Sequence, residues 1–267
     1  MSGLVELKLE QTYPTLPSEG IAQLRVYNGE LCDYSITTNF ADLSFDVNSL
    51  DKYINKSINI ESSNGINIQF QFNAKAGATC ALLPNHNCLL KSERSYYMIL
   101  NSKNTTHPII CAEDTIAKPS RGYPLVRVLA NVNPCRTIQW QNSKGSVEHT
   151  EQAYQRSLME LNSDTYLLLV DNVEIDMVKF EVGGIYTILI AEESSSTYHI
   201  QVVTVTEPNS VSIFRLIPQY VVMSLGQVTF TVTGTEFSYT EAPVSMKTVL
   251  QGFWLLTRCF GNLIVIK

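Results

Sequence analysis

The sequence predicts a mainly β chain, two tandem immunoglobulin-like β-sandwich lobes followed by a transmembrane α-helical hairpin. Three observations predict it: period-two alternation recurring through the first 210 residues, a polar break that halves this region, and two long apolar runs near the C-terminus. The clearest strand is Ile66 to Asn73, where Ile66, Ile68, Phe70 and Phe72 alternate with Asn67, Gln69, Gln71 and Asn73. Such a pattern buries one face and leaves the other polar.

Similar alternating or β-branched segments occupy Ala22 to Tyr27, Ser44 to Val47, Ser95 to Leu100, Leu125 to Val132, Thr165 to Val170 and Ile200 to Val205. Gly183-Gly184 separates Met177 to Val182 from Ile185 to Ile190. Two glycines supply the positive φ of a two-residue turn, so a hairpin is expected there. The break at Asp114 to Ser120 ends in Lys118-Pro119-Ser120 and divides the region into residues 1–114 and 115–210, each about one immunoglobulin-like sandwich in size.

Residues 211–267 hold the apolar runs. Leu216 to Thr235 is 20 residues without a formal charge, about 30 Å as a helix. Val228 to Thr233 also alternates like a strand, but the length of the run and the proline at Ile217-Pro218 favour a helix over about 216–241. Thr248 to Ile266 carries one charge, Arg258, and predicts a second helix over about 246–266. On helical phasing Thr229, Thr233, Glu236 and Thr240 share one face. This hydroxyl stripe with one acid suits either the wall of a polar cavity or the headgroup end of a span.

Composition excludes several functions. A net charge of −6 argues against a nucleic-acid surface. His86, His107, His149 and His199 are scattered, and there is no nucleophile elbow, phosphate loop or metalloprotease helix, so no enzyme is expected. Cys32, Cys80, Cys88, Cys111 and Cys135 fall in the β region, with Cys259 in the second apolar run. That usage suits an oxidising compartment, with the connectivity open and at least one of the five unpaired. Cys80, His86 and Cys88 lack a second ligand pair at zinc-finger spacing. Asn55-Lys56-Ser57 and Asn104-Thr105-Thr106 are glycosylation sequons if the region is extracellular. Met1 to Glu10 has no apolar core of a secretory signal.

TGTEFSYTEAPVSMKTVLQGFWLLT (233–257), preceded by IPQYVVMSLGQVTF (217–230), resembles the tenth and eleventh transmembrane helices of the animal proton-coupled oligopeptide transporters. These are the peptide carriers of the POT family, solute carrier family 15, in the major facilitator superfamily. GLVELKLEQTYPTLP (3–17) and IAQLRVYNG (21–29) resemble the entry into the extracellular domain that animal members carry between their ninth and tenth helices. The resemblance implies a C-terminal fragment of a proton-coupled di- and tripeptide symporter with a partial major facilitator fold.

It further implies a multi-pass plasma-membrane location, residues 1–214 extracellular, with the lipid bilayer, di- and tripeptides and the missing N-terminal transmembrane helices as partners. No cofactor is implied beyond the proton as coupling ion. Residue by residue, Glu236 would bind the peptide α-amino group, Tyr239 and Ser238 stand in the same matching block, and Trp254 would wall the pocket. Gln227, where relatives have Glu, and Arg258, where they have an apolar residue, depart from the pattern. Lacking the N-terminal half, the fragment would not transport alone. The alternative is a cell-surface immunoglobulin-like interaction module with a C-terminal membrane anchor.

Overall fold

The computed structural model describes residues 13–40, 43–60, 64–75, 80–194, 196–209, 213–241, 243 and 246–265. Two compact units result, a β unit within residues 8–210 and a helical unit within residues 211–267. The signal-peptide reading of Met1 to Glu10 and the first resembling segment up to Gln11-Thr12 lie outside the described residues.

The β unit holds four four-stranded sheets. In the first sandwich an inner sheet runs β4 (Lys52–Asn59), β1 (Ile21–Asn28), β7 (Ser95–Leu100), β8 (Ile109–Glu113). Its outer sheet runs β3 (Ser44–Val47), β2 (Tyr34–Thr38), β5 (Ile66–Ala74), β6 (His86–Leu90). In the second sandwich the inner sheet is β12 (Met159–Glu160), β9 (Leu125–Asn131), β15 (Ile185–Ser194), β16 (Thr197–Thr206). Its outer sheet is β11 (Val147–Gln152), β10 (Thr137–Asn142), β13 (Thr165–Val170), β14 (Val173–Lys179). The strand orders match when each number in the first sandwich is raised by eight, so one topology is used twice. In both, the central pair of the inner sheet is parallel, β1 with β7 and β9 with β15.

Side-chain parity explains the layering. Ala22, Leu24 and Val26 of β1 and Tyr96, Met98 and Leu100 of β7 join Ile36, Ile68 and Phe70 in the core of the first sandwich. Val126, Val128, Tyr186 and Ile188 pack with Trp140, Tyr166 and Phe180 in the second. The opposite faces of the same inner strands do not meet water. Tyr27, Tyr97, Ile99, Leu129, Leu189 and Val203 form a third core in which the two inner sheets pack on each other. The order of layers is outer, inner, inner, outer, and β1, β7, β9 and β15 are buried on both faces. In the first sandwich Cys32 is bonded to Cys80 and Cys88 to Cys111, each pair 5.9 Å apart at Cα. Cys135 is free and exposed.

Two expectations need correction. The hairpin at Gly183-Gly184 is absent: β14 pairs with β13, whereas β15 pairs with β9 and β16. Phe180, fully buried against Trp140, ends the outer strand, and Gly183, at φ +76°, turns the chain into the inner sheet. Its N–H donates to Gly122 O (2.7 Å), and Gly184 O accepts from Leu125 N (3.0 Å).

The second correction concerns the membrane. The helices exist close to the expected bounds, α1 at Ile217–Thr240 and α2 at Lys247–Val265. Among the described residues, however, no helix is long and apolar enough to cross a membrane. Gln219, Gln227, four threonines from Thr229 to Thr235 and Glu236 dilute α1, while Lys247, Gln251, Arg258 and Asn262 dilute α2. The transmembrane hairpin, the partial major facilitator fold, the bilayer as partner and the multi-pass plasma-membrane location, on which the placement of residues 1–214 outside depended, are therefore overturned together. The Pro243 to Lys247 turn is described only in part, with Met246 N donating to Pro243 O at 2.9 Å.

The Cys32–Cys80 bond spans 48 residues, and loop-closure entropy assigns such a crosslink about 4 kcal/mol. Replacing both cysteines by alanine is expected to lower the unfolding free energy by about that amount in urea titration; a loss under about 1 kcal/mol would contradict this.

Candidate functional site

The seam between the inner sheets concentrates the buried charge of the β unit. Gln23 and Arg25 of β1, Ser95 of β7 and Arg127 and Asn131 of β9 are buried polar residues on or beside strands covered on both faces. Asp114 follows β8, held by donation of its N–H to Ser95 O (2.7 Å). Its carboxylate lies between two guanidinium groups, 3.4 Å from Arg25 Nη1 and 2.9 Å from Arg127 Nη2. The three side chains are 5%, 1% and 2% exposed in the order Arg25, Asp114, Arg127.

Two cations share one anion, and the surroundings take up part of the excess. The Arg127 guanidinium carbon stands 3.9 Å from the centroid of the Tyr97 ring, and its Nη2 donates to Thr187 Oγ1 at 3.3 Å. Arg25 and Arg127 sit on corresponding strands of the repeated topology. The position in the second sandwich that corresponds to Asp114 holds Thr206, paired with the first residue of β15. Thr206 Oγ1 instead donates to Ile116 O (2.7 Å) and ties down the connection between sandwiches.

Glu192 closes the other end of the seam. Lys103, from the first sandwich, donates through Nζ to Glu192 O (2.6 Å) and Oε2 (3.1 Å). Arg136 Nη2 reaches Oε1 at 2.7 Å and Asn133 N–H reaches Oε2 at 2.9 Å. Burial alone would raise the Glu192 pKa, but these donors outweigh it and hold the carboxyl below its ordinary range. Asn101 Nδ2, donating to Ala130 O at 2.7 Å, adds a further contact across the seam.

A different carboxyl is strained by burial. Glu151 on β11 is 2% exposed, and desolvation pushes it up to about 8, with the nearby Trp140 indole lowering it slightly. Neither its oxygens nor the indole N–H has a hydrogen bond of full geometry. Its Cα partner across the sheet is Ile138, so the sequence around it reads as an ordinary polar edge strand.

The residues singled out from sequence lie elsewhere. Glu236 is exposed on α1, and Tyr239, also exposed, carries Lys247 Nζ 4.2 Å above its ring. The side chain of Ser238 is outside the described residues, as is that of Arg258; Gln227 is exposed. Trp254 packs on Phe230, ring centroids 5.5 Å apart, and covers Gly234, where an added Cβ would meet the indole at 2.5 Å. The threonine stripe bonds to its own helix, Thr229 Oγ1 to Leu225 O and Thr240 Oγ1 to Glu236 O, each at 2.9 Å. Glu236, Tyr239 and Trp254 line none of three cavities built from residues of the β unit. Asn55 is half-buried on β4, and Asn104 is buried with its Oδ1 accepting from His107 N at 3.1 Å. No group of His, Cys, Asp and Glu that could hold a metal occurs among the described residues.

One family model matches, over residues 178–266. It is that of the POT family. Across its whole length the chain is 26% identical to solute carrier family 15 member 1 of Canis lupus familiaris, covering 37% of that protein. It is 29% identical to peptide transporter family 1 of Drosophila melanogaster, again over the whole chain and 36% of the relative. A shorter stretch, 32% of the chain, is 42% identical to solute carrier family 15 member 1 of Oryctolagus cuniculus.

The chain thus spans a little over a third of the length of the relatives it matches end to end. These likenesses support a distant relationship to the POT family and agree with a non-catalytic protein. They do not sustain the fuller expectation of a transporter fragment with its tenth and eleventh membrane helices, because no described helix can span. Nor does the symporter reading hold, in which a membrane-spanning Glu236 receives a peptide amine; of the partners expected, the likeness weakly supports a peptide alone. That carboxylate stands exposed on a helix surface, where water screens it and the described residues build no enclosing site for an ammonium group.

Two outcomes follow. Asp114→Ala leaves two buried guanidinium groups without their anion and is expected to cost about 3–5 kcal/mol of stability by denaturant titration; a loss below about 1 kcal/mol would remove the cluster from the account. Glu151 has its folded pKa raised from 4.5 to about 8, so its stability contribution is full below pH 4.5 and is lost as pH rises towards 8. Glu151→Gln should therefore flatten the stability profile between those values and stabilise the protein at pH 7.5 by about 4 kcal/mol. Parallel profiles for the two proteins would refute this.

Proposed function

We propose that the β unit is an interaction module of two immunoglobulin-like lobes, residues 1–114 and 115–210, which binds partners at a surface and performs no chemistry. One observation carries this reading: buried charge is invested at the seam, where Asp114, Arg25 and Arg127 fix one lobe against the other. A buried ion cluster contributes little to net stability compared with apolar packing, and its best use is to specify one arrangement. A binding platform that spans two lobes needs that arrangement constant.

The two disulfides support placement outside the reducing cytosol. The likeness to proteins named as solute carriers and a peptide transporter supports a role beside transport and not in catalysis. Of the two readings drawn from sequence, the interaction module is the one that the two sandwiches and their seam favour.

The test is saturable binding of the secreted, fluorescently labelled full chain to intact animal cells. We expect saturation that protease treatment of the cell surface abolishes, and at least a tenfold weaker half-saturation for Asp114→Ala whose circular dichroism still shows folded β structure. Binding that never saturates, or that is unchanged in a folded Asp114→Ala protein, would refute the reading.

A further inference from the structure

We propose that β16 is a dimerisation edge, at which two copies of this chain pair their β16 strands antiparallel and join two inner sheets into one. The inference goes beyond the proposed cell-surface partner and does not depend on it. Each of the four sheets ends in two edge strands, and an edge is a row of N–H and C=O groups that a further strand can take up. Proteins keep such edges apart by charge or by shortness. Here β4 carries Lys52 and Lys56, β11 carries Glu148, and β14 carries Glu174 and Asp176. The edges β3, β6, β8 and β12 have five residues or fewer.

β16 has neither protection. Thr197–Thr206 is ten residues long, the longest of these edges, and contains no Asp, Glu, Lys, Arg or Pro. Among the described residues, no backbone group from His199 to Thr204 is hydrogen-bonded outside the pairing with β15. The imidazole of His199 is engaged locally, its Nε2 2.9 Å from Glu193 Oε2 on β15.

The strand also selects its occupant. Pairing with its own copy brings identical residues together about a twofold axis, so a charge near the axis meets its like. An uncharged strand avoids that repulsion. The two faces of the sheet continue across the axis only where residues of the same parity oppose, because a one-residue slip exchanges the faces. Pairing of β16 with β15 is regular from Tyr198 to Thr204, with shifts at either end, and Gln201 is the midpoint of that run. With the axis there, exposed Gln201 meets Gln201 of the second copy, and an amide both donates and accepts. Ile200 meets Val202 of the second copy, which extends the apolar face that packs on the second core. Strands of this length exchange about ten hydrogen bonds, the number in a standard protein interface.

The experiment is sedimentation velocity of the full chain across the micromolar range, for the native protein, Gln201→Lys, Gln201→Glu and an equimolar mixture of the two variants. Circular dichroism checks that each remains folded, as the exposure of Gln201 predicts. We expect a native dimer, at least tenfold weaker association in either variant alone, where like charges meet at the axis, and recovery of the dimer in the mixture, where opposite charges meet. A native chain that sediments as a monomer throughout overturns the proposal, as does a dimer that neither variant weakens or that the mixture fails to restore. Val222→Lys, at an exposed position of α1, is the control. A dimer lost there but kept in both Gln201 variants is held by the helical unit and overturns the proposal too. A native dimer that shows no saturable binding to cells contradicts the proposed cell-surface partner and leaves the dimerisation edge standing.

Discussion

A single carboxylate between two arginines fixes the β unit. Asp114 lies on the connection between the sandwiches, and Arg25 and Arg127 come from the corresponding inner strands of each. All three are buried, so none can tolerate a change in lobe orientation that removes its counter-ion. Apolar Tyr27, Ile99, Leu129 and Leu189 complete the seam beside it. Glu192 and Lys103 close its far end, so a hinge opening from either side would expose a buried, bonded charge.

This arrangement explains why part of the fold was legible in the sequence and part was not. Ile66 to Ala74 shows its burial plainly because one face meets the core and the other meets solvent. β1 reads much the same way, with Gln23, Arg25 and Tyr27 alternating with Ala22, Leu24 and Val26. Yet that polar face is buried, because a second sheet of like chemistry covers it. Period-two patterning reports polarity, and polarity ceases to mean exposure where charges are paired. The polar break at Asp114 was visible as a boundary, but its first residue is the ion that joins what the boundary divides. Glu151 was invisible for the same reason, an acid in an ordinary edge-strand pattern.

The glycine pair and the helices show two further limits. Gly183-Gly184 carries a turn, but the turn links strands of different sheets, and only the burial of Phe180 and the pairing of β15 with β9 decide that. Helix formation in residues 217–265 follows from the apolar runs, and the bounds lie within a residue or two of those expected. Membrane crossing depends on a further condition, apolarity sustained along the helix, and glutamine, threonine and ionisable residues spread through both helices remove it. Glu236, prominent as the acid of a hydroxyl stripe, is exposed beside threonines that bond to their own helix.

The central claim is that the two sandwiches form one rigid body. Pulsed electron paramagnetic resonance between spin labels at exposed Lys56, in the first sandwich, and exposed Lys144, in the second, measures it directly. A single narrow distance distribution in the native chain, broadened when Asp114 is replaced by alanine, is the predicted result. A broad or multiple distribution in the native chain would contradict the account.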